Sequence, residues 1–496
     1  MGNIGFLKNN TALILLIMII AMTLIKLYFY IPIKTPSVMY DEGCYVGLAS
    51  NFAREFSFYS DNFFGKHCFY PAGYSTILSI AFFVYPTFYQ AFDLIKLINC
   101  LLSSLIVIPI YLIFRELLNF KDRKVLLLLT LAVSTIPSVI GYFFWIMSEN
   151  LFTFLVLWVF YLLIRLIKSE SIITAFIFGF LNFYAFFTRD IGIAINLASF
   201  LSLLVLLRDS NVRYRISIKI FSSYLLGYLI PMILWLSYRS QIRKQLVGYN
   251  LSKYIASLVF DDFNEAFKFL NLFFNEILYF FVVTFVIFGI LAFWKLLEFT
   301  KCSRKRALAI FIFISLFSFL IITSAHMYLA LEKSKWDYNV LGRYLDPLVP
   351  LVYIIGLVKL SEYLNYRGTR EKVIFFVLTL FMLFLIYFKF PVDNYKPPNT
   401  VAIYYLKKIS IDSFIWVTLT MLLILNLLGY KKIKDSRTIL TINIAIIVLF
   451  LVVINVFLTS YYYNNYLLSS DSRYGYTKEI IKELQKSYEN EIYIVH

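Results

Sequence analysis

Four short clusters of ionisable residues in an otherwise apolar chain carry the side chains that a reaction site needs. Asp41 and Glu42 follow the first long apolar stretch, and a tyrosine-rich segment ending in Phe69-Tyr70-Pro71-Ala72-Gly73-Tyr74 follows them. Ser148-Glu149-Asn150, Thr188-Arg189-Asp190 and Gly342-Arg343-Tyr344 each stand where one apolar stretch gives way to another. Carboxylates beside a membrane surface in a mostly apolar protein need a reason. Oxygen ligands suit hard cations, so a divalent cation held by Asp41, Glu149 or Asp190 is chemically open, although nothing in the spacing demands one.

Each cluster also has a purely structural explanation. Asp41 can cap the helix that follows it, and Glu149 suits a helix N-terminus. Arg189 and Asp190 can form a local ion pair of little worth. Arg343 can snorkel from the end of a span. Asp41 and Glu42 lie about 100° apart on a helix, so only one is expected to face a shared cavity, and Asp41 is preferred. His67 and His326 read first as satisfied polar groups. What raises the four clusters is their shared side of the membrane.

That side follows from the elements that must carry them. The 496 residues are 61% hydrophobic and only 15% charged, against about 25% charged in soluble domains. Apolar runs of about 20 residues recur, each long enough to cross a bilayer. The expected fold class is therefore all-α: a polytopic helical membrane protein. A β-barrel would instead show alternating segments of about 10 residues.

Thirteen spans are expected, near 11–31, 92–114, 125–145, 150–167, 171–188, 192–207, 218–238, 276–297, 307–329, 345–360, 372–390, 412–429 and 438–460. Alternate loops hold concentrated Lys and Arg, among them 121–124, 208–219 and 301–306, and the positive-inside rule turns these to the cytoplasm. The amino terminus is then cytoplasmic; the four clusters and the carboxyl terminus are extracytoplasmic. The formal charge of +17 serves orientation and contact with anionic membrane lipids, with no call for nucleic acid. The stretch Thr11–Ile31 reads as a retained first span. Residues 1–460 are expected to form one transmembrane domain, followed by a short extracytoplasmic tail, 461–496.

The first outer loop, 32–91, is too long to be a simple connector. Asp41 to Phe56 reads as an amphipathic helix with Tyr45, Ala49, Phe52 and Phe56 near one face. Pro71 to Tyr89, broken at Pro86, reads as a helix lying in the interface. Cys44 and Cys68 share this loop, where they can form a disulfide or remain free thiols. No CxxC pair signals zinc. Asn250-Leu251-Ser252 fits the glycosylation acceptor pattern.

The acidic pair after span one, the aromatic-Pro-x-Gly-Tyr segment, Ser-Glu at an outer turn, Thr-Arg-Asp and the late Gly-Arg-Tyr-x-x-Pro resemble the GT-C superfamily. These are integral membrane glycosyltransferases that use polyprenyl-phosphate sugars. The branch most similar holds the protein O-mannosyltransferases and aminoarabinose transferases. The resemblance runs in order through about the first 350 residues; Ala72 departs from it, since members commonly carry proline there. It implies transfer of a monosaccharide from a polyprenyl (dolichyl) phosphate donor to a protein, lipid or glycan acceptor at the outer face, with inversion. Asp41, with Glu42 beside it, would then supply the general base. Arg343 and Arg189 would meet the lipid phosphate, Tyr45, Tyr70, Tyr74 and Tyr344 would line the sugar and donor site, and Glu149 and Asp190 would support it or hold a metal. A transporter or flippase of lipid-linked sugars would instead place charges deep in its spans. A non-catalytic scaffold would tolerate loss of Asp41.

Overall fold

The computed structural model describes residues 10–33, 40–59, 68, 70–118, 122–209, 214–243, 262–334, 340–364, 369–391, 402–403, 410–430, 451–453 and 455. Most of the expected span 438–460, the tail, His67 and Asn250–Ser252 lie outside these residues.

In chain order the helices are α1 (Asn10–Tyr30), α2 (Tyr40–Glu55), α3 (Gly73–Val84), α4 (Phe88–Leu105), α5 (Val107–Leu117) and α6 (Arg123–Ser134). There follow α7 (Pro137–Ile140), α8 (Glu149–Ser169), α9 (Ile172–Thr188), α10 (Gly192–Asp209), α11 (Tyr214–Arg243) and α12 (Phe263–Val283). The last group is α13 (Ile287–Lys301), α14 (Ser303–Ser334), α15 (Val349–Tyr363), α16 (Thr369–Lys389) and α17 (Ile411–Tyr430). Two 3-10 turns, Gly342–Tyr344 and Asp346–Leu348, lead into α15.

Eight stretches of described helix are long and apolar enough to cross a membrane, and four shorter apolar helices join them. The chain is an integral, multi-pass helical membrane protein. The helix α1, with 21 residues, is about 31 Å long at 1.5 Å per residue, which matches a hydrocarbon core of about 30 Å. Its outer side chains, Leu13, Leu16, Ile17, Ile20 and Leu24, are exposed, as a lipid-facing helix requires. The stretch Gly342–Tyr363 is at the other extreme, with 94% of its apolar window inside the protein against 28% for α1. It is the central post of the bundle.

Among the described residues, the expected spans 125–145 and 276–297 are broken, and 92–114 turns at Ile106 between α4 and α5. The stretch 125–145 is not one helix: α6 ends at Ser134, Pro137 starts a single turn, and 141–148 runs on without regular structure. Proline lacks the N–H that a continuing helix needs. The expected span 276–297 is split between α12 and α13, because Phe285 and Val286 adopt positive φ values of 50° and 57°. Part of the outer connection 239–275 is thereby helical.

The helices expected within 32–91 form. The helix α2 covers the expected amphipathic segment and packs on α3. Its buried face carries Cys44, Tyr45, Leu48 and Ala49. Phe56, expected on that face, lies beyond the helix end at φ 52° and is exposed. Cys44 and Cys68 form a disulfide that ties α2 to the segment before Tyr70.

Candidate active site

The carboxylate of Asp41 is the centre of a polar cluster drawn from five elements. Asp41 and Glu42 lie in the first turn of α2, where the helix dipole favours negative charge. Tyr70 donates its hydroxyl to Asp41 Oδ1 at 2.5 Å. Arg343, in the first 3-10 turn, donates through Nη2 to Asp41 Oδ2 at 2.8 Å. Its Nε lies 3.9 Å from Glu149 Oε1, at the start of α8. Arg189, just past the end of α9, reaches the same Glu149 oxygen with Nη1 at 2.8 Å. Charge therefore alternates from Asp41 through Arg343 and Glu149 to Arg189.

Aromatic rings hold this chain of charges. The Arg189 guanidinium lies 4.9 Å from the Tyr344 ring centre, and that of Arg343 lies 5.5 Å from it. His326 on α14 meets Tyr344 edge-on at 5.4 Å. Tyr45 packs between Tyr70 and Tyr74, and its hydroxyl is 2.8 Å from Ser148 Oγ. Guanidinium groups over ring faces gain cation–π attraction without losing their donors.

The electrostatics set the protonation of the centre. Burial pushes the Asp41 carboxyl up, but the Arg343 charge and the Tyr70 hydrogen bond outweigh it and hold Asp41 below the usual carboxylate range. Burial and the neighbouring Asp41 push the Tyr70 hydroxyl well up, so it stays protonated and remains a donor. Asp41 keeps 17% of its side chain exposed, against 3% for Glu149. Asp41 is the more exposed of these two carboxylates.

The other sequence candidates stand around it. Glu42 is buried, and its Oε1 accepts the Ile146 N–H at 2.8 Å, which fixes the 141–148 segment to α2. Tyr74 is fully buried behind Tyr45 and donates to Asn99 Oδ1 at 2.6 Å. Asp190 does not join Glu149; it lies 3.5 Å from Arg239. Among the described residues no three His, Cys, Asp or Glu side chains gather as a ready metal centre. The Asp41, Glu149, Arg189 and Arg343 side chains come together; Glu42, Tyr74 and Asp190 turn to other partners.

The Pro-x-Gly-Tyr segment has a local physical reason. A Cβ on Gly73 would stand 2.6 Å from Thr188 Oγ1 and 2.9 Å from the Phe187 carbonyl. Only glycine lets α3 dock against the end of α9, where Arg189 emerges. Tyr184 seals the junction by donating to the Gly73 carbonyl at 3.0 Å.

Sequence reasoning passed over charges inside the apolar stretches. Lys26 bonds Ser103 at 2.9 Å, and Lys96 meets Asp93 at 2.6 Å. Glu276 and Asp346 are fully buried near the Arg343 turn. Single charges inside apolar runs were the signal available for all of them.

Between α10, α11 and α14 lies an open apolar pocket of about 570 Å³. Its walls include Ile193, Leu197, Phe200, Leu225 and Ile321, with Asn196 and Tyr228 bonded to each other at 3.0 Å.

No family profile and no curated protein sequence matches the chain. The architecture just described is similar in fold to solved membrane-protein structures. ArnT from Cupriavidus metallidurans bound to undecaprenyl phosphate superposes with a TM-score of 0.51 at 14% identity, over 90% of this chain and 77% of ArnT. Its apo form gives 0.50 at 14% identity, over 92% and 78%. The arabinosyltransferase EmbB from Mycobacterium smegmatis gives 0.46 at 14% identity, over 89% of this chain and 40% of its own. At such identities the likeness is one of fold.

Proposed function

We propose that this chain transfers a monosaccharide from a polyprenyl-phosphate donor to a hydroxyl-bearing acceptor at the extracytoplasmic face, with Asp41 as general base. One observation carries the reading: a partly open carboxylate is hydrogen-bonded to an arginine that has a second arginine beside it. An acceptor hydroxyl is a poor nucleophile until a carboxylate takes its proton as attack develops. A phosphate leaving group needs cationic donors as its charge grows.

In the proposed reaction the acceptor oxygen attacks the anomeric carbon from the side opposite the phosphate. The new C–O bond forms as the sugar–phosphate C–O bond breaks, which inverts the centre. The acceptor proton passes to Asp41, and the electron pair leaves with the lipid phosphate onto Arg343 and Arg189. A bound phosphate would share the Arg343 charge with Asp41, and the weakened hold makes the carboxylate a stronger base. Tyr70 holds the other carboxylate oxygen in place. The open apolar pocket between α10, α11 and α14 suits an isoprenoid chain, and the fold shared with undecaprenyl-phosphate-bound ArnT supports a lipid donor. The donor sugar would lie along Tyr45 and Tyr344. Glu149 serves as the buried counter-ion that fixes both arginines, and Glu42 as the tie between α2 and the 141–148 segment.

The test uses purified protein in lipid with labelled polyprenyl-phosphate monosaccharides. Wild type should release or transfer sugar, and Asp41→Asn should lose about 10²-fold or more while folding normally. Equal turnover by the two proteins would remove Asp41 from the chemistry.

A further inference from the structure

Arg343 does not hold its own position. It sits in the short turn 341–346, and both ends of that turn are fastened to buried carboxyl groups. At the near end, the Leu341 N–H donates to Glu276 Oε1 at 2.5 Å. Glu276 lies on α12, is fully buried, and has an Oε2 that meets no hydrogen-bond partner among the described residues. At the far end, Asp346 is fully buried and accepts from two tyrosines. Tyr279 donates to Oδ1 at 2.7 Å and Tyr142 to Oδ2 at 2.5 Å.

The two anchors share a helix. Glu276 and Tyr279 are three residues apart on α12, so they present to one face. The backbone of Gly342 lies directly on the Tyr279 ring, where any Cβ would collide with it. Tyr142 belongs to the 141–148 segment, which also supplies Met147 Sδ to Arg343 Nη1 at 3.8 Å. A buried carboxyl adds little to apolar packing and must give up its water. Two of them within one turn of Arg343 are explained by the turn itself.

We propose that Glu276 and Asp346 are positioning residues for Arg343. They clamp the ends of the 341–346 turn so that the guanidinium meets Asp41, and they act through the backbone without touching substrate. The catalytic consequence rests on the role proposed for Arg343; the structural one does not.

The experiment uses the full chain in lipid nanodiscs and three variants: E276L, E276Q and Y279F. Glutamine keeps an oxygen for the Leu341 N–H, whereas leucine removes it; Y279F strips one hydroxyl from Asp346. Hydrogen exchange of the 341–346 amides reads the clamp directly and needs no activity. Exchange there should speed up about tenfold or more in E276L and Y279F, with α8 unchanged and E276Q close to wild type. Transfer kinetics with a polyprenyl-phosphate monosaccharide read the consequence. A displacement of about 1 Å costs on the order of 10²-fold in efficiency, and a raised donor KM should account for most of the loss, with recovery in E276Q.

Wild-type exchange in E276L and Y279F, or E276Q behaving as E276L, overturns the proposal. Should E276L fail to fold, Y279F decides it by the same two readouts. A wild type that transfers no sugar while its variants exchange faster would sink the proposed reaction and leave the clamp standing. Transfer that is unaffected by slackened exchange would remove the catalytic consequence alone.

Discussion

At the scale of single residues, the cluster holds opposite charges close while leaving the Asp41 carboxylate partly exposed. The Asp41 carboxyl lies below its ordinary range because Arg343 and Tyr70 outweigh its burial. Its folded value is therefore below its unfolded value of about 3.9. The stability it contributes is present above that unfolded value and is lost as pH falls through the lower folded one. The same sign applies to activity. The acid limb of kcat/KM, which reports the free enzyme, should fall below the ordinary carboxylate range in wild type. Replacing Arg343 with glutamine leaves burial to act without its main opponent, so the limb of the residual activity should move upward. A limb that stays in place in Arg343→Gln would show that another group titrates.

At the scale of elements, two junctions decide whether those residues meet. The first is the disulfide, which joins α2, bearing Asp41, to the segment bearing Tyr70 across 24 residues of sequence. In the chain-entropy view, closing a loop of that size contributes about 3 kcal/mol. Cys68→Ser should lower thermal stability by roughly that amount and reduce transfer by loosening Tyr70, measured by melting and turnover together. The second junction is α3 against the end of α9. Gly73→Ala places a methyl group against Thr188 and the Phe187 carbonyl, an overpacking that costs about 1–3 kcal/mol. Because Arg189 follows Thr188, this variant should also weaken donor binding. Melting and donor titration of Gly73→Ala would check both effects, and an unchanged melting temperature would contradict the docking argument.

At the scale of the whole molecule, the exposed apolar belts on α1, α11 and α16 face lipid, and the central Gly342–Tyr363 stretch carries the site at one end. The opposite end of that stretch holds a second ionic group, in which Lys359 pairs with Glu298 and Lys295 contacts Glu362 at 2.6 Å. Positive-inside reasoning places that end in the cytoplasm. Cys302 is free, exposed and next to the basic run Arg304-Lys305-Arg306, while the other free thiol, Cys100, is buried. A membrane-impermeant thiol reagent should therefore label Cys302 only after cells are permeabilised. Labelling of intact cells would invert the topology and move the proposed site to the cytoplasmic face.

The sequence by itself determined the membrane class, because runs of about 20 apolar residues have no other stable home than a bilayer. It also located the four polar clusters, since a charge in an apolar chain is conspicuous wherever it falls. It supplied the helix of α2 and the pairing partners Cys44 and Cys68, without deciding that they bond. The tertiary structure decided which polar groups meet. Asp41 and Arg343 are 302 residues apart, and no local period couples them. Glu42 follows Asp41 directly, yet the helix turns it to the Ile146 amide. Glu149 and Asp190 looked alike as carboxylates, but Arg189 took one and Arg239 the other. The breaks at Pro137 and at Phe285-Val286 were decided in the same way: proline marks the first in the sequence, while packing imposes the second on residues whose own preferences oppose it. Local composition sets which segments are helices and which side chains are polar; long-range packing alone sets which of them become neighbours.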